Sequence, residues 1–354
     1  MKKTLLFDAN SIYNFMYCKS YEKELRAYIV KENIEKVGLP PLILCEIISK
    51  IQKNPDLFKN CVKGAMTKFN NFSPCSVIDQ DKLFDAVKTY LCKKVKNEEA
   101  FEKAFFSADI QWYDIQKNLP NASVDNVNLS FNEKGENKQY RINVVTCARN
   151  DWENEYAKSW KWMDENVDKD SSILEDDKWG KIEKSIFCCR ANISDADIED
   201  FTNVAKFMKY MSEEYKAIWR KKIENPAYQP AGKKHKNDYD DMHLALYAAL
   251  DNVYVLTNDK NMIDLNSAYK DGKVIYFREV FPESAKELDR CTQRSNLFSY
   301  MRKEKKKMTL DELSVYLDDK VDSSFDRNAF FEELKQDYRF VNSHGMYACA
   351  NVQR

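Results

Sequence analysis

Short apolar runs and helical patterns alternate at both ends of the chain. Thr4–Phe7 is a short apolar run that ends in Asp8, and the segment Ser11–Tyr17 that follows has a helical pattern. Near the other end, Met242–Leu250 is rich in alanine and leucine, which favours a helix, and Val253–Leu256 is a short β-branched run. Strands that alternate with helices predict an α/β fold built on a parallel sheet.

Three further segments add to this pattern. Tyr21–Glu35 has the spacing of apolar and charged residues that is typical of an amphipathic helix. Pro40 and Pro41 fix an extended entry to a second helix, which carries Glu46 near its start. Val274–Phe277 predicts another strand. Both ends of the chain are therefore expected to contribute to one sheet.

The long middle region differs from both ends. From about residue 53 to residue 230, polar helical patterns rich in lysine and asparagine dominate, including a predicted helix near Asp195–Ile223. Residues 127–145 alternate apolar and polar positions around Asn132–Asn137, which predicts a β-hairpin with a longer loop. We therefore expect a mostly helical insertion that contains one hairpin.

The patterns divide the chain into four parts. Residues 1–52 and 231–282 are expected to form the two halves of one core, with residues 53–230 as the insertion between them. Residues 283–354 are expected to form a C-terminal helical appendage, in which Thr309–Glu312 fits a capping box at the start of a helix.

The composition disfavours one fold class but does not distinguish between functions. The 354 residues suit a main domain with additions, and only 7 glycines and 8 prolines disfavour an all-β sandwich, which needs many turns. Lys and Arg total 56 against 57 for Asp and Glu. This balance neither indicates nor excludes a nucleic-acid partner, because local patches matter more than the sum.

The same composition bears on the cellular compartment. The apolar stretch at the N-terminus is too short for a signal peptide, and no segment approaches the roughly 20 apolar residues of a membrane span. Ten cysteines occur without a C-x-x-C pair, which favours free thiols in a reducing compartment. We expect a soluble cytoplasmic protein with no membrane partner.

Four acidic residues stand where a parallel sheet would bring them together. Asp8 ends the first strand and Asp259 follows the strand Val253–Leu256, so both belong to the carboxyl edge where α/β sheets bind ligands. Glu46 and Asp241 lie near the starts of helices next to this edge. Taken singly, each of these acids could be an ordinary helix cap or a solvated loop charge.

The segments that contain these acids resemble the motifs of PIN-domain ribonucleases. Leu5–Asn10 is similar to the opening strand of that family, and Pro40–Ile48 resembles its second acidic motif. Asp241–Ala248 is similar to the third motif and Val255–Lys260 to the fourth. The four segments occur in the order of the family, and the parts of the chain that match it, roughly Lys2–Lys53 and Pro230–Pro282, cover under a third of the chain.

The resemblance implies a PIN-like three-layer core with a parallel sheet and an acidic pocket that holds one or two Mg²⁺ or Mn²⁺ ions. Asp8 and Asp259 would be direct or water-bridged ligands, and Glu46 and Asp241 would complete the set or position the attacking water. The physical chemistry agrees, because clustered carboxylates repel one another and a hard divalent cation removes that cost. Such ions activate water and stabilise charge on an attacked phosphate.

The third motif leaves its principal acid open. It contains Asp238, Asp240 and Asp241, and Asp241 is favoured because the helix follows it immediately. Asp238 could reach the metal from the preceding loop, and the additional charges could instead stabilise the positive end of the helix dipole.

Several polar residues are candidates for supporting roles. Asn10 is expected either to form hydrogen bonds within the pocket or to cap the next helix. Thr257 and Asn258 could orient Asp259 or simply form the turn. A set of lysines just before the third motif could hold substrate phosphates or could be a solvated loop: Lys233, Lys234 and Lys236.

The function expected from the sequence is a metal-dependent endoribonuclease that hydrolyses RNA phosphodiester bonds. Analogy with the family suggests a toxin or defence effector, with a possible regulatory protein partner. The alternatives are a nuclease for DNA or for a particular nucleic-acid structure with the same pocket, and an inactive PIN-like module that binds nucleic acid. A phosphohydrolase for small molecules is a further alternative.

Overall fold

The structure is a computed structural model that describes residues 2–92, 98–106, 110–124, 128–133, 136–141, 154, 156–198, 201–230 and 238–350. The helices of these residues are α1 (Ala9–Tyr17), α2 (Tyr21–Lys31), α3 (Pro41–Lys53), α4 (Pro55–Leu57), α5 (Lys63–Asn70), α6 (Gln80–Val87), α7 (Glu98–Phe105), α8 (Ile110–Asn118), α9 (156–166), α10 (Asp176–Ala191), α11 (Phe201–Glu224), α12 (Asp238–Tyr247), α13 (Lys260–Leu265), α14 (Ser267–Lys270), α15 (Phe277–Val280), α16 (Pro282–Lys303), α17 (Leu310–Asp318) and α18 (Arg327–Gln336). Short π-helical segments are Phe58–Val62 and Lys88–Cys92, and 3-10 turns are Leu119–Asn121, Ser171–Leu174 and Asp195–Asp197. The strands are β1 (Thr4–Phe7), β2 (Lys36–Gly38), β3 (Ser123–Val124), β4 (Asn128–Glu133), β5 (Glu136–Arg141), β6 (Val253–Thr257), β7 (Val274–Tyr276), β8 (Met308–Thr309), β9 (Phe340–Ser343) and β10 (Met346–Cys349).

Four strands form a parallel sheet in the order β2-β1-β6-β7. β1 pairs with β2 on one side and with β6 on the other, where Leu6 is opposite Val255 and Phe7 is opposite Leu256. Every residue of β1 is buried, which explains why this strand is a continuous apolar run and not an alternating one. The prediction of a mixed α/β protein with a parallel sheet is confirmed, and the chain is mostly helical.

The carboxyl ends of β1 and β6 lie side by side. The backbone amide of Asp8 donates a hydrogen bond to the carbonyl oxygen of Leu256 at 3.1 Å. The hydroxyl of Ser11, in the first turn of α1, donates to the same oxygen at 3.1 Å. The residues that follow the two strands are therefore neighbours at one edge of the sheet, as the sequence predicts.

The chain divides into two compact units. Unit 1 comprises Met1–Met16 and Leu25–Val280 and contains the parallel sheet; unit 2 comprises Tyr17–Glu24 and Phe281–Arg354. Among the described residues of both units, no helix has the length and apolarity that crossing a membrane would require.

Unit 2 contains more than the helices expected from its sequence. The predicted capping box is present at the start of α17, where Thr309 and Glu312 each bond the backbone amide of the other. In addition, β8, β10 and β9 form an antiparallel sheet in that order.

Some elements differ in extent from the sequence prediction. α2 ends at Lys31 and not at Glu35, because Asn33 adopts a left-handed backbone conformation with φ of 53° and the chain then enters β2. The strand β2 was not predicted, since a segment of three residues carries almost no periodic signal. The predicted helix near Asp195–Ile223 is a short 3-10 turn followed by the long helix α11.

The hairpin of the insertion is present, and its two strands include residues that were predicted to belong to the loop. β4 and β5 pair in antiparallel register, with Asn132 opposite Asn137 and Glu133 opposite Glu136. The predicted loop residues at both ends are therefore strand residues. Residues 127, 134–135 and 142–145 of the predicted hairpin lie outside the described residues.

The insertion helices have an aromatic core that holds α11 in place. The ring of Trp160, on α9, stacks on Trp219 of α11 with 6.1 Å between centroids and lies 5.0 Å from Tyr215. Trp179, on α10, donates its indole N–H to the hydroxyl of Ser212 at 2.8 Å. These contacts fix the rotation of α11 about its axis and thus the direction of each of its side chains.

The central position of β1 generates a stability prediction. Leu5 is fully buried between β2 and β6, so Leu5→Ala should lower the free energy of unfolding by about 2–5 kcal/mol through lost burial and a residual cavity. Val30→Ala is the control, because Val30 is 81% exposed and its loss should change stability by less than about 0.5 kcal/mol. Urea unfolding measures both; equal effects of the two variants would contradict the central place of β1.

Candidate functional site

Asp8 is held in a defined orientation at the end of β1. Its carboxylate accepts a hydrogen bond from the backbone N–H of Ser11 at 2.5 Å on Oδ1, which makes Asp8 the N-cap of α1. On Oδ2 it accepts one from the hydroxyl of Thr257 at 2.5 Å. The residue is 6% exposed, so this carboxylate is almost removed from water.

The turn after β6 connects Asp8 to Asp259. The hydroxyl of Thr257 donates to Asp8 and accepts the backbone N–H of Asp259 at 2.9 Å. The N–H of Asn258 lies 3.3 Å from Asp8 Oδ2. Asp259 caps α13 by accepting the N–H of Asn261 at 2.7 Å. Thr257 thus contacts both acids, which is more than the turn-forming role that the sequence left open for it.

Asn10 does not have the capping role considered for it. It lies inside the first turn of α1 and is exposed. The cap is Asp8, because α1 begins at Ala9 and not at Ser11. The expectation that Asn10 caps the helix is therefore wrong.

Glu46 lies in α3, and its side chain is 12% exposed. The entry to this helix is as predicted, with Pro40 extended at the N-cap and Pro41 in the first position. Lys50, one turn later, places Nζ 2.5 Å from Glu46 Oε1. Glu46 is close enough to Asp8 for its charge to raise the pKa of Asp8.

The third acidic motif is inside a helix and not in front of one. α12 begins at Asp238, so Asp240 and Asp241 both lie in its first turn. The expectation that the helix starts after Asp241 is therefore wrong, and the choice of Asp241 as the principal third acid stays a prediction. Asp240 is 3% exposed. Its charge raises the pKa of Asp241, so the two carboxylates interact.

Several neighbouring acids act electrostatically on Asp241. Its pKa is raised well above the usual range, first by burial and then by repulsion from four carboxylates, which are Asp259, Glu214, Asp240 and Glu46. The pKa of Asp8 is raised to about 6, mainly by burial, although hydrogen bonds from Thr257 and Ser11 lower it. Glu46 therefore interacts electrostatically with both Asp8 and Asp241, and Asp259 interacts with Asp241.

Glu214 is an acid of this cluster that the sequence prediction missed. It lies on α11 of the insertion, is 2% exposed, and accepts a hydrogen bond from the side-chain amide of Asn266 at 3.1 Å. A signal was present, because Phe207, Met211 and Ile218 form a buried stripe and Glu214 occupies the stripe position between them. A carboxylate at an apolar stripe position indicates a buried polar contact.

His243 lies on α12, two residues after Asp241, and contacts an arginine of the insertion. It is fully buried, and its Nε2 lies 2.8 Å from Nη2 of Arg190 on α10. Because a guanidinium can only donate, Nε2 is the acceptor and the imidazole carries its proton on Nδ1. This hydrogen bond links the insertion to α12.

The carboxylate oxygens of these residues are suitable ligands for a hard cation, but the side chains are not yet arranged as they would be around a bound ion. All the acids are oxygen donors, and Oδ1 of Asn258 is buried with no hydrogen-bond partner in the described part of the chain. Among the described residues, however, no three His, Cys, Asp or Glu side chains are grouped closely enough to hold an ion as they stand. Lys233, Lys234 and Lys236 lie outside the described residues.

Comparisons with known proteins provide no relative. A scan against protein-family models found no match, and searches of curated proteins and of solved structures also found none.

The raised pKa of Asp8 generates a prediction about stability and pH. The folded state holds the proton of Asp8 to about pH 6, whereas an unfolded chain releases it near pH 4. Ionisation of Asp8 therefore destabilises the fold progressively between these pH values. Asp8→Asn removes this cost, so in EDTA near pH 7.5 the variant should be more stable than the parent by about 1–3 kcal/mol.

Urea unfolding across this pH range measures the difference, which should shrink toward pH 4. Asp251→Asn is the matched control, since the Asp251 side chain is 83% exposed and its loss should leave stability nearly unchanged at each pH. An Asp8→Asn variant that is less stable than the parent near pH 7.5 would show that the buried carboxylate is not under electrostatic stress.

Proposed function

We propose that the chain is a PIN-like, metal-dependent nuclease that hydrolyses phosphodiester bonds in RNA. The observation that carries the proposal is the group of carboxylates near the carboxyl ends of β1 and β6, in which Asp8, Asp240 and Glu214 are buried and neighbouring acids raise the pKa of Asp241. Proteins rarely bury like charges together unless a ligand compensates them. Side chains with strongly shifted pKa values are concentrated at functional sites. The order of the four acidic motifs along the chain supports the same assignment.

The residues that would hold Mg²⁺ or Mn²⁺ are Asp8, Asp259 and Asp241, with Glu46, Asp240 and Asp238 as further carboxylates of the set. A bound divalent ion would lower the pKa of a water and stabilise charge on the attacked phosphate. Protons on Asp8 and Asp241 must leave before these carboxylates bind a cation, so affinity should rise with pH through the pKa of Asp8 near 6.

Neighbouring side chains would keep the acids in place for this chemistry. The Thr257 hydroxyl and the Ser11 N–H each hold one oxygen of Asp8, so the carboxylate cannot rotate freely. Lys50 holds one oxygen of Glu46 and offsets part of the negative charge of the cluster. Catalytic side chains that are held in this way can act without rearrangement at each turnover.

The insertion distinguishes this chain from the minimal core that the resemblance implies. Glu214 brings a carboxylate from α11 into the charge cluster, and Arg190 on α10 holds His243 of α12. We infer that the insertion forms part of the catalytic site and not only a substrate-selecting addition. A cytoplasmic toxin or defence effector, restrained by a partner protein, is the cellular role that fits this proposal.

A cleavage assay tests the proposal. Purified protein is incubated with labelled single-stranded RNA or DNA in Mn²⁺, Mg²⁺ or EDTA, beside Asp8→Asn, Asp259→Asn and Asp251→Asn. RNA should be cut only with metal, and the first two variants should lose activity by about a hundredfold or more, because each removes a carboxylate of the metal set. Asp251, exposed just before β6, should tolerate the change.

The other outcomes separate the rival functions. Preferential cleavage of DNA would assign the pocket to a DNA nuclease. Activity that survives Asp8→Asn and Asp259→Asn would contradict this site. Absence of cleavage together with tight RNA binding would favour an inactive module that binds nucleic acid.

A further inference from the structure

Unit 2 contains a complete small fold with its own topology. Its elements follow the order α16, β8, α17, α18, β9, β10, and the sheet is antiparallel with β10 between β8 and β9. This order and pairing are those of a winged helix-turn-helix module, in which the second helix of the pair faces a ligand and the last two strands form the wing. One apolar cluster holds it together, consisting of Leu297, Met301, Met308, Leu313, Leu317, Phe330, Leu334, Phe340 and Tyr347.

The helix in the recognition position, α18, presents a polar face to solvent. Phe330 and Leu334 are buried in the core of unit 2. The exposed residues lie on the opposite side at helical spacing and are Asn328, Glu332, Lys335 and Gln336. Asn, Gln, Lys and Glu are the side chains that form hydrogen bonds with base edges in the major groove.

The wing is a tight hairpin with an uncharged polar tip. β9 and β10 are joined through His344 and Gly345, whose φ angles of 55° and 79° are those of a two-residue type I′ turn. Asn342, Ser343 and His344 are exposed at this tip. Residues 338–350 contain no carboxylate side chain, so the wing does not repel an anionic partner.

A basic run leads directly into the sheet of the wing. Residues 302–307 are all exposed and contain one Arg, four Lys and one Glu. Nζ of Lys306 lies 3.5 Å from Oε1 of Glu312, so the run is held beside the first turn of α17. The next residues form β8, which pairs with β10 beside the turn of the wing.

The basic run is a local concentration of charge in a unit whose net charge is near zero. It follows the last turn of α16, which is a helix of 22 residues. A cavity between the first half of α16 and the loop that joins α17 to α18 is balanced by contrast, because three acids and three basic residues line it: Asp289, Asp322, Asp326, Lys286, Arg290 and Lys320. The run therefore supplies a positive patch next to the wing.

We propose that unit 2 binds duplex DNA. The outward face of α18 enters the major groove, and the basic run and the wing contact phosphates. DNA is favoured over duplex RNA because the major groove of B-form DNA admits a helix and that of A-form RNA does not.

Binding to a labelled DNA duplex of mixed sequence, followed by fluorescence anisotropy in EDTA at several salt concentrations, tests the proposal with the full chain. The variant Lys303→Gln/Lys305→Gln/Lys307→Gln should bind at least about tenfold more weakly, and its slope of log affinity against log salt should be shallower by about 2–3. The control Lys161→Gln/Lys181→Gln/Lys270→Gln removes the same charge from exposed positions of unit 1 and should leave both quantities unchanged.

A second variant separates base contacts from general charge. Asn328→Ala/Gln336→Ala changes no charge and should lower affinity by about tenfold with the salt slope unchanged. The absence of duplex binding by the parent chain would overturn the proposal. So would an equal loss in the unit 1 control, or equal affinity for duplex RNA with the same response to the variants. None of these outcomes bears on RNA cleavage by unit 1.

Discussion

Parallel pairing of β1 with β6 is the constraint on which the candidate site depends. It brings together residues that are about 250 positions apart in sequence, because the carboxyl ends of both strands meet at one edge. Thr257 can then bond Asp8, and the turn after β6 places Asp259 beside them. The long insertion between the strands is tolerated since loop-closure entropy grows only slowly with length. Loss of this register would separate the acids entirely.

The same arrangement lowers the stability of the fold while it provides the carboxylates for the proposed function. Burial and mutual repulsion raise the pKa values of Asp8 and Asp241, so the protein without a cation is less stable at neutral pH than it would be with neutral side chains. A divalent cation would reverse this, because it binds the ionised form and stabilises the folded state by mass action. The carboxylates that weaken the fold would then be those that carry the chemistry.

Much of the sheet could be predicted from sequence, and the errors have physical causes. β1 and β6 carry strong local signals as apolar runs, whereas each acidic motif is weak when taken singly and only the order of the four along the chain is informative. The strand β2 is too short to show a period, and the start of α12 was misplaced because Asp238 and Asp240 suit a loop as well as a first helical turn. Glu214 was missed because a contact between α11 and the core depends on tertiary packing that no local pattern encodes. The antiparallel sheet of unit 2 was not predicted, because its strands have only two to four residues.

Direct measurement of cation binding tests the central claim, that the acids at the edge of β1 and β6 form a divalent-metal site. Electron paramagnetic resonance of free Mn²⁺ can follow its uptake by the parent chain and by an Asp8→Asn/Asp259→Asn double variant, at pH values from about 5 to about 8. We expect one or two bound ions in the parent chain, with affinity that rises with pH through about 6, and little uptake by the double variant. Equal Mn²⁺ uptake by both proteins, or none by the parent at any pH, would contradict it.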